Sequence, residues 1–211
     1  MSNALSSAYE SIRENDSLQL LILTATGKVF SVDKIGTPSG DSAQQLSTLA
    51  IPVLVALNGD AIGSGLELAL AGDLRVSVPS AKFSFPGLRL GALPQDGGTQ
   101  RLPRLIGTAW ARDMLLTGRS VDANEALSIG LVNRVSKDIT KIVAELSAQI
   151  TSGSPIGARY AKEAVYKGID LTLEQGLRLE ADLAVILQST SDRSEGLRSF
   201  LEKRPPKFID S

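Results

Sequence analysis

The stretch Asn58-Gly-Asp-Ala-Ile-Gly-Ser-Gly-Leu-Glu67 decides how this chain is read. It follows residues 51–57 (IPVLVAL), an apolar run of strand length. It leads into residues 62–71, an apolar segment of helical character closed by Gly72-Asp73. A buried strand therefore runs into a glycine-rich turn, and the turn opens a helix. The first N–H groups of a helix have no partner within it, and the helix dipole makes that end attractive to negative charge. Glycine lets a ligand come close to such a backbone. Glu67 falls in the first turns of the same helix, which puts a carboxylate beside amides able to polarise a carbonyl. That combination suits proton movement next to a carbonyl group. The same pattern also describes an ordinary strand-to-helix connection with an acid stabilising the helix start. No Gly-Lys-Ser/Thr follows, which excludes a P-loop, and the glycines lack the Gly-x-Gly-x-x-Gly spacing of a dinucleotide site.

Working outward, residues 18–24 (LQLLILT) and 29–32 read as strands, and 33–47 reads as a loop or weak helix rich in Gly and Ser. Residues 74–78 are strand-like, and helices are expected near 98–107 and 109–117. Asp122-Ala-Asn-Glu125 has the pattern of a capping box, with an acid at the N-cap and Glu three residues on. That helix stops at Gly130, and 131–135 (LVNRV) reads as a short strand. Helices then fill 139–151, 155–168, 173–189 and 192–203. Strands and helices alternate in the first two-thirds and helices dominate the end, which is an α/β order with a helical C-terminal region. The expected division is a core over 1–137 and a helical region over 138–211, forming one structural unit.

Composition narrows the chemistry. The chain has 211 residues, of which 22 are Lys or Arg and 23 Asp or Glu, for a net charge of −1. That balance gives no general attraction to nucleic acid or to an anionic membrane. No apolar run approaches the length of a membrane-spanning helix, and residues 1–14 are polar, unlike a signal peptide. There is no cysteine and no histidine. Thiolate nucleophiles, Ser-His-Asp triads, imidazole acid–base catalysis and Cys/His metal sites are thereby excluded. Protons must move through Asp, Glu, Lys, Tyr or water. The cysteine-free composition fits a reducing compartment, and a cytoplasmic location is expected.

Residues 52–75 (PVLVALNGDAIGSGLELALAGDLR) and 81–104 (AKFSFPGLRLGALPQDGGTQRLPR) resemble the signature of the enoyl-CoA hydratase/isomerase (crotonase) superfamily. Leu116-Thr-Gly-Arg119, residues 123–134 (ANEALSIGLVNR) and Phe200-Leu-Glu-Lys-Arg204 extend the likeness in the expected order to about residue 208. The resemblance implies a crotonase-like spiral of ββα turns with a helical C-terminal trimerisation region. It further implies a homotrimer or dimer of trimers, and acyl-CoA substrates of the kind met in fatty acid metabolism. Coenzyme A would be the substrate's carrier, with no permanently bound cofactor.

The resemblance also implies roles for particular residues. The backbone N–H of Ser64, central in Gly63-Ser64-Gly65, would bind the thioester oxygen as one oxyanion donor. The other would come from the loop that opens with Phe30-Ser31-Val32 and, by count, from Lys34. Glu67 would carry the proton. Gly63, Gly65, Gly87 and Gln95 would line the substrate, and Lys203, in a basic tail, would meet the coenzyme A phosphates. The first helix begins where the family has already placed opening strands, and the segment between 32 and 51 is compressed.

The hydratases of the family carry a second glutamate where this chain has Gly87. Water addition needs one group to activate water and another to deliver a proton, whereas relocating a proton on an enolate needs one shuttle. Gly87 thus argues for isomerase-like or other enolate chemistry, although single-carboxylate isomerases of the family usually keep the other glutamate position. Asp96 is a candidate replacement acid, with a cap for the helix after Gly97-Gly98 as its equally weighted structural reading. Other crotonase-type reactions, such as decarboxylation or carbon–carbon cleavage, and a non-catalytic acyl-CoA-binding member are the alternatives.

Overall fold

A computed structural model describes residues 2–32 and 41–210, with side chains from Ala4 onward. The chain divides into two compact units. The first comprises residues 1–16, 21–49 and 53–144; the second comprises 17–20, 50–52 and 145–211.

The first unit begins with helix α1 (Ser2–Arg13), strands β1 (Leu21–Thr24) and β2 (Val29–Val32), and helix α2 (Ser42–Ser47). It continues through β3 (Val53–Leu57), β4 (Asp60–Ile62), α3 (Ser64–Leu70), β5 (Leu74–Ser77) and β6 (Lys82–Ser84). A 3-10 turn over Pro86–Leu90 leads to α4 (Gly98–Thr117), β7 (Val121–Asp122), α5 (Ala123–Ser128) and β8 (Arg134–Val135). The strands form two four-stranded sheets, ordered β1-β3-β5-β8 and β2-β4-β6-β7. All neighbours are parallel except β6 and β7. Each turn of chain places one strand in each sheet and returns through a helix, which is the ββα spiral expected from the sequence.

Strand β3 shows why the apolar run at 51–57 reads so clearly. It pairs with β1 on one side and β5 on the other, and all five of its residues are buried. A parallel strand covered on both faces has no polar face to display. The Asp73 carboxylate accepts from the Val53 N–H at 2.7 Å, while the Asp73 N–H donates to the Val53 carbonyl at 2.9 Å, fixing the start of this strand.

Helix α3 is buried along its length from Gly65 to Leu70. Its C-terminal carbonyls are met by Arg75, whose guanidinium donates to Gly72 at 2.7 Å, Ala69 at 3.3 Å and the Leu131 carbonyl at 2.9 Å. Burial pushes this guanidinium down to about 10, opposed by the nearby Asp73 charge, so it remains cationic at neutral pH. A cation at the C-terminal end complements the helix dipole.

Several sequence expectations change in detail. The turn after Asn58-Gly59 does not pass straight into a helix but first forms β4, which pairs with β2 and β6. Helix α4 is, as expected, two helices, joined across a break at Gly107 (φ 78°, ψ 159°). Asp122 caps α5 by accepting from Asn124 and Glu125, but the Glu125 carboxylate turns to Arg119 instead of completing the box. Only Arg134 and Val135 of the 131–135 segment pair in the sheet.

The second unit carries α7 (Pro155–Gly168), α8 (Leu173–Gln188) and α9 (Ser191–Glu202), following α6 (Ile139–Thr151), which bridges the division. Thr172 and Gln175 form a reciprocal capping box at the start of α8. The tail is tied down locally. Asp192 accepts from the Ile209 and Asp210 N–H groups and from Ser154, and Arg159 pairs with the Asp210 carboxylate. Arg204 holds Glu195 and pulls its carboxyl down to about 2. Large apolar side chains stand exposed on these helices, among them Val165, Leu173, Val185, Phe200 and Leu201.

Tyr9 of α1 is 2 % exposed, and its hydroxyl has no hydrogen-bond partner among the described residues. Burial, and secondarily the charge of Asp96, push its hydroxyl up to about 12. An unpartnered buried hydroxyl costs free energy that phenylalanine would not. Tyr9→Phe is therefore expected to leave stability unchanged or raise it by up to about 1 kcal/mol at pH 7 in urea titrations. The folded pKa lies above the unfolded value of 10.0, so this tyrosine's contribution is fully present below pH 10 and is lost as pH rises toward 12. The wild type should lose ground to Tyr9→Phe over that interval; parallel pH dependences would contradict the assignment.

Candidate functional site

Glu67 is 2 % exposed in the first turns of α3. A carboxylate cannot be withdrawn from water without donors to replace it. Here the donors are main-chain. Oε1 accepts from the Asp96 N–H at 2.7 Å and the Gly98 N–H at 2.8 Å, and Oε2 accepts from the Gln95 N–H at 3.3 Å. The turn between the 3-10 segment and α4 thus wraps its amides around one side chain. Oε1 is filled, while Oε2 has a single long bond among the described residues and a second lone pair. A group so held can take a proton from a bound molecule and return it at another atom.

Ser64 is the first residue of α3 and is half-buried. Gly63, the N-cap, has φ 61° and donates its own N–H to the Ser84 carbonyl at 3.0 Å. Gly65 faces β2, where a Cβ would come within 2.2 Å of the Ser31 carbonyl oxygen. Its place is explained by helix-to-strand packing, beyond any part in a ligand site. Lys34, the expected second oxyanion donor, lies outside the described residues. Gln95 enters the site through its N–H, with its side chain exposed. Lys203 belongs to the second unit, exposed just after α9 with φ 54°.

Gly87 lies in the 3-10 turn, and a Cβ there would meet the Ala92 carbonyl oxygen at 2.8 Å. The Ala92 N–H in turn donates to the Gly87 carbonyl at 3.0 Å, so the loop closes on itself where a second glutamate would begin. Asp96, the candidate replacement acid, points elsewhere. Its Oδ2 accepts from the Ala43 N–H at 2.6 Å and its Oδ1 from the Gln44 N–H at 3.1 Å. The side chain is a helix cap, as its structural reading held, but for α2 and not for α4, where Gly97 is the N-cap without side-chain help. Arg101 reaches neutral acceptors: the Asp96 carbonyl, Gln44 Oε1 and Ser47 Oγ.

The amides of Asp96 and Gly98 as holders of Glu67 were not foreseen from the sequence. The pair Gly97-Gly98 was the available signal. A Cβ on Gly98 would lie 2.8 Å from Pro94 Cβ and 3.1 Å from both Glu67 Oε1 and Phe85 Cε1.

The chain matches the family model described as "Enoyl-CoA hydratase/isomerase" over residues 1–211. It is 46% identical over 165 residues to YngF of Bacillus subtilis (strain 168), which carries the name of an enoyl-CoA hydratase/isomerase; the match covers 77% of this chain and 64% of YngF. The chain thus spans just under two thirds of that relative. It is 33% identical over 220 residues to the crotonyl-CoA hydratase of Syntrophomonas wolfei, covering 96% of this chain and 85% of that one. The crystal structure of an enoyl-CoA hydratase from Bacillus anthracis superposes with a TM-score of 0.94 at 34% identity, covering 99% of this chain and 88% of the other.

Gly98→Ala is expected to lower stability by about 1–3 kcal/mol, the usual cost of overpacking, and to disturb Glu67 with it. Thermal unfolding at unchanged midpoint would contradict that packing. With main-chain amides around a buried glutamate, and likeness in sequence and fold over nearly the full length, the chain belongs to the enoyl-CoA hydratase/isomerase family.

Proposed function

We propose that this chain is an acyl-CoA-processing enzyme, an enoyl-CoA hydratase/isomerase that works through a thioester enolate. The backbone N–H of Ser64 stabilises the enolate oxygen, with the amide of Lys34 as its partner, and Glu67 removes and redelivers the proton. Electrostatic stabilisation of an oxyanion by fixed main-chain donors is worth several kcal/mol in such reactions. Gly63 and Gly65 shape the backbone beside the thioester, Gly87 and Gln95 border the acyl group, and Lys203 meets the phosphates of coenzyme A.

The observation that carries this reading is the Glu67 carboxylate, buried in α3 with a single bond to Oε2 among the described residues. Among the described residues, Gly87 and the occupied oxygens of Asp96 leave Glu67 as the candidate carboxylate, which supports double-bond migration over water addition. The exposed apolar side chains of α7 to α9 support assembly as a homotrimer or dimer of trimers. No helix among the described residues is long and apolar enough to cross a membrane. A cytoplasmic place in fatty acid metabolism agrees with the family and the composition.

The test is product analysis on two thioesters. With a 3-enoyl-CoA the double bond should move to the 2-position faster than crotonyl-CoA is hydrated. Glu67→Gln should lower turnover by about 10²–10⁴-fold, the usual worth of a positioned acid–base group. Wild-type turnover in that variant would remove Glu67 from the mechanism, and hydration outrunning migration would overturn the choice of reaction.

A further inference from the structure

The geometry points to Asp96 as the positioning residue that aims Glu67, an inference that rests on the role given to Glu67 above. Three groups of this one residue are each committed to a different element. Its N–H donates to Glu67 Oε1 at 2.7 Å. Its carboxylate accepts from Ala43 and Gln44 in the first turn of α2. Its carbonyl accepts from Arg101 Nη1 of α4 at 2.6 Å. Arg101 Nη2 then reaches Gln44 Oε1 at 2.9 Å and Ser47 Oγ at 3.1 Å, both on α2. The bonds close a ring that runs from Asp96 to α2, from α2 to Arg101, and back to Asp96.

Each link replaces something the local chain does not supply. The N-cap of α2, Asp41, makes no side-chain cap bond, so the first-turn amides are satisfied from a residue more than fifty positions later. Asp96 is 9 % exposed, and charge-assisted bonds in such a place are little weakened by water. With its side chain and carbonyl both held, the Asp96 Cα and backbone nitrogen are fixed in place, and the N–H on that nitrogen makes the shortest of the three bonds to Glu67. Asp96 therefore acts on the reaction through Glu67. Its own oxygens face α2 and already accept from two amides.

The ring also explains why the residue is an aspartate. Ala43 and Gln44 present two donors to two oxygens. An asparagine would turn an NH₂ group toward one of them, leaving two donors face to face. The hydroxyl of Tyr9, on the neighbouring α1 and without a hydrogen-bond partner among the described residues, is held in its protonated form by burial and secondarily by the same negative charge.

The experiment is a double-mutant cycle between Asp96 and Glu67, read as kcat and KM for the 3-enoyl-CoA in the full-length protein. Asp96→Asn should lower kcat by about 10-fold or more, since misplacing a catalytic group by about 1 Å can cost 10²-fold. KM should change by less than about 3-fold. In the Glu67→Gln background the same substitution should cost no further kcat, as expected for residues acting as one unit. Arg101→Met, which opens the ring from the other side, should repeat the pattern if Asp96→Asn folds poorly. Unchanged kcat in Asp96→Asn overturns the inference. So does a loss that multiplies with that of Glu67→Gln, or a rise in KM matching the fall in kcat. If Glu67→Gln alone turns over normally, the assignment of Glu67 fails separately. The link is then read from the melting temperatures of the same four proteins: non-additive shifts retain it, additive shifts overturn it.

Discussion

A carboxylate that leaves water must be given equivalent donors, and how that demand is met at Glu67 organises much of the first unit. Among the described residues no cation pairs with it. The requirement falls on the amides of Gln95, Asp96 and Gly98, all from one turn. Amides cost little to point once the backbone is fixed, but fixing the backbone requires Gly98 to have no side chain and Asp96 to be anchored on both flanks. A lysine or arginine partner would also have satisfied the charge. It would then compete with any proton arriving from a substrate, whereas amides hold the group in place without bringing a full positive charge.

Helix α3 connects this turn to the rest of the spiral. Its seven residues carry Glu67 at their centre, and Arg75 meets the Ala69 and Gly72 carbonyls at and just beyond the C-terminal end. The segment that follows is pinned by the exchange between Asp73 and Val53, so the helix is registered against the central strand β3. Removing Arg75 would take away the donor that meets the Gly72 and Leu131 carbonyls, just beyond the end of the helix that carries Glu67.

Much of this was visible in the sequence because the relevant forces are local. The run IPVLVAL is apolar at every position because β3 is covered on both faces, and the helices of the second unit end within a residue or two of their expected limits because Gly, Pro, Ser and Thr mark their caps. Strands β4, β6 and β7 escaped notice because two or three residues carry no period, and their pairing partners lie far along the chain. Glu67 was identifiable from its place after the glycines. The function of Asp96 was not, since a carboxylate capping a helix more than fifty residues earlier leaves no trace in spacing. Glu125 misled for a related reason: its position fits a capping box, but Arg119 offers a stronger, charged donor.

The closed loop at Gly87 bears on how reactions can be exchanged on this scaffold. The obstacle to a side chain there is main chain, the Ala92 carbonyl, and not a neighbouring side chain that could be trimmed. A side chain at this position would therefore require the 87–92 backbone itself to shift.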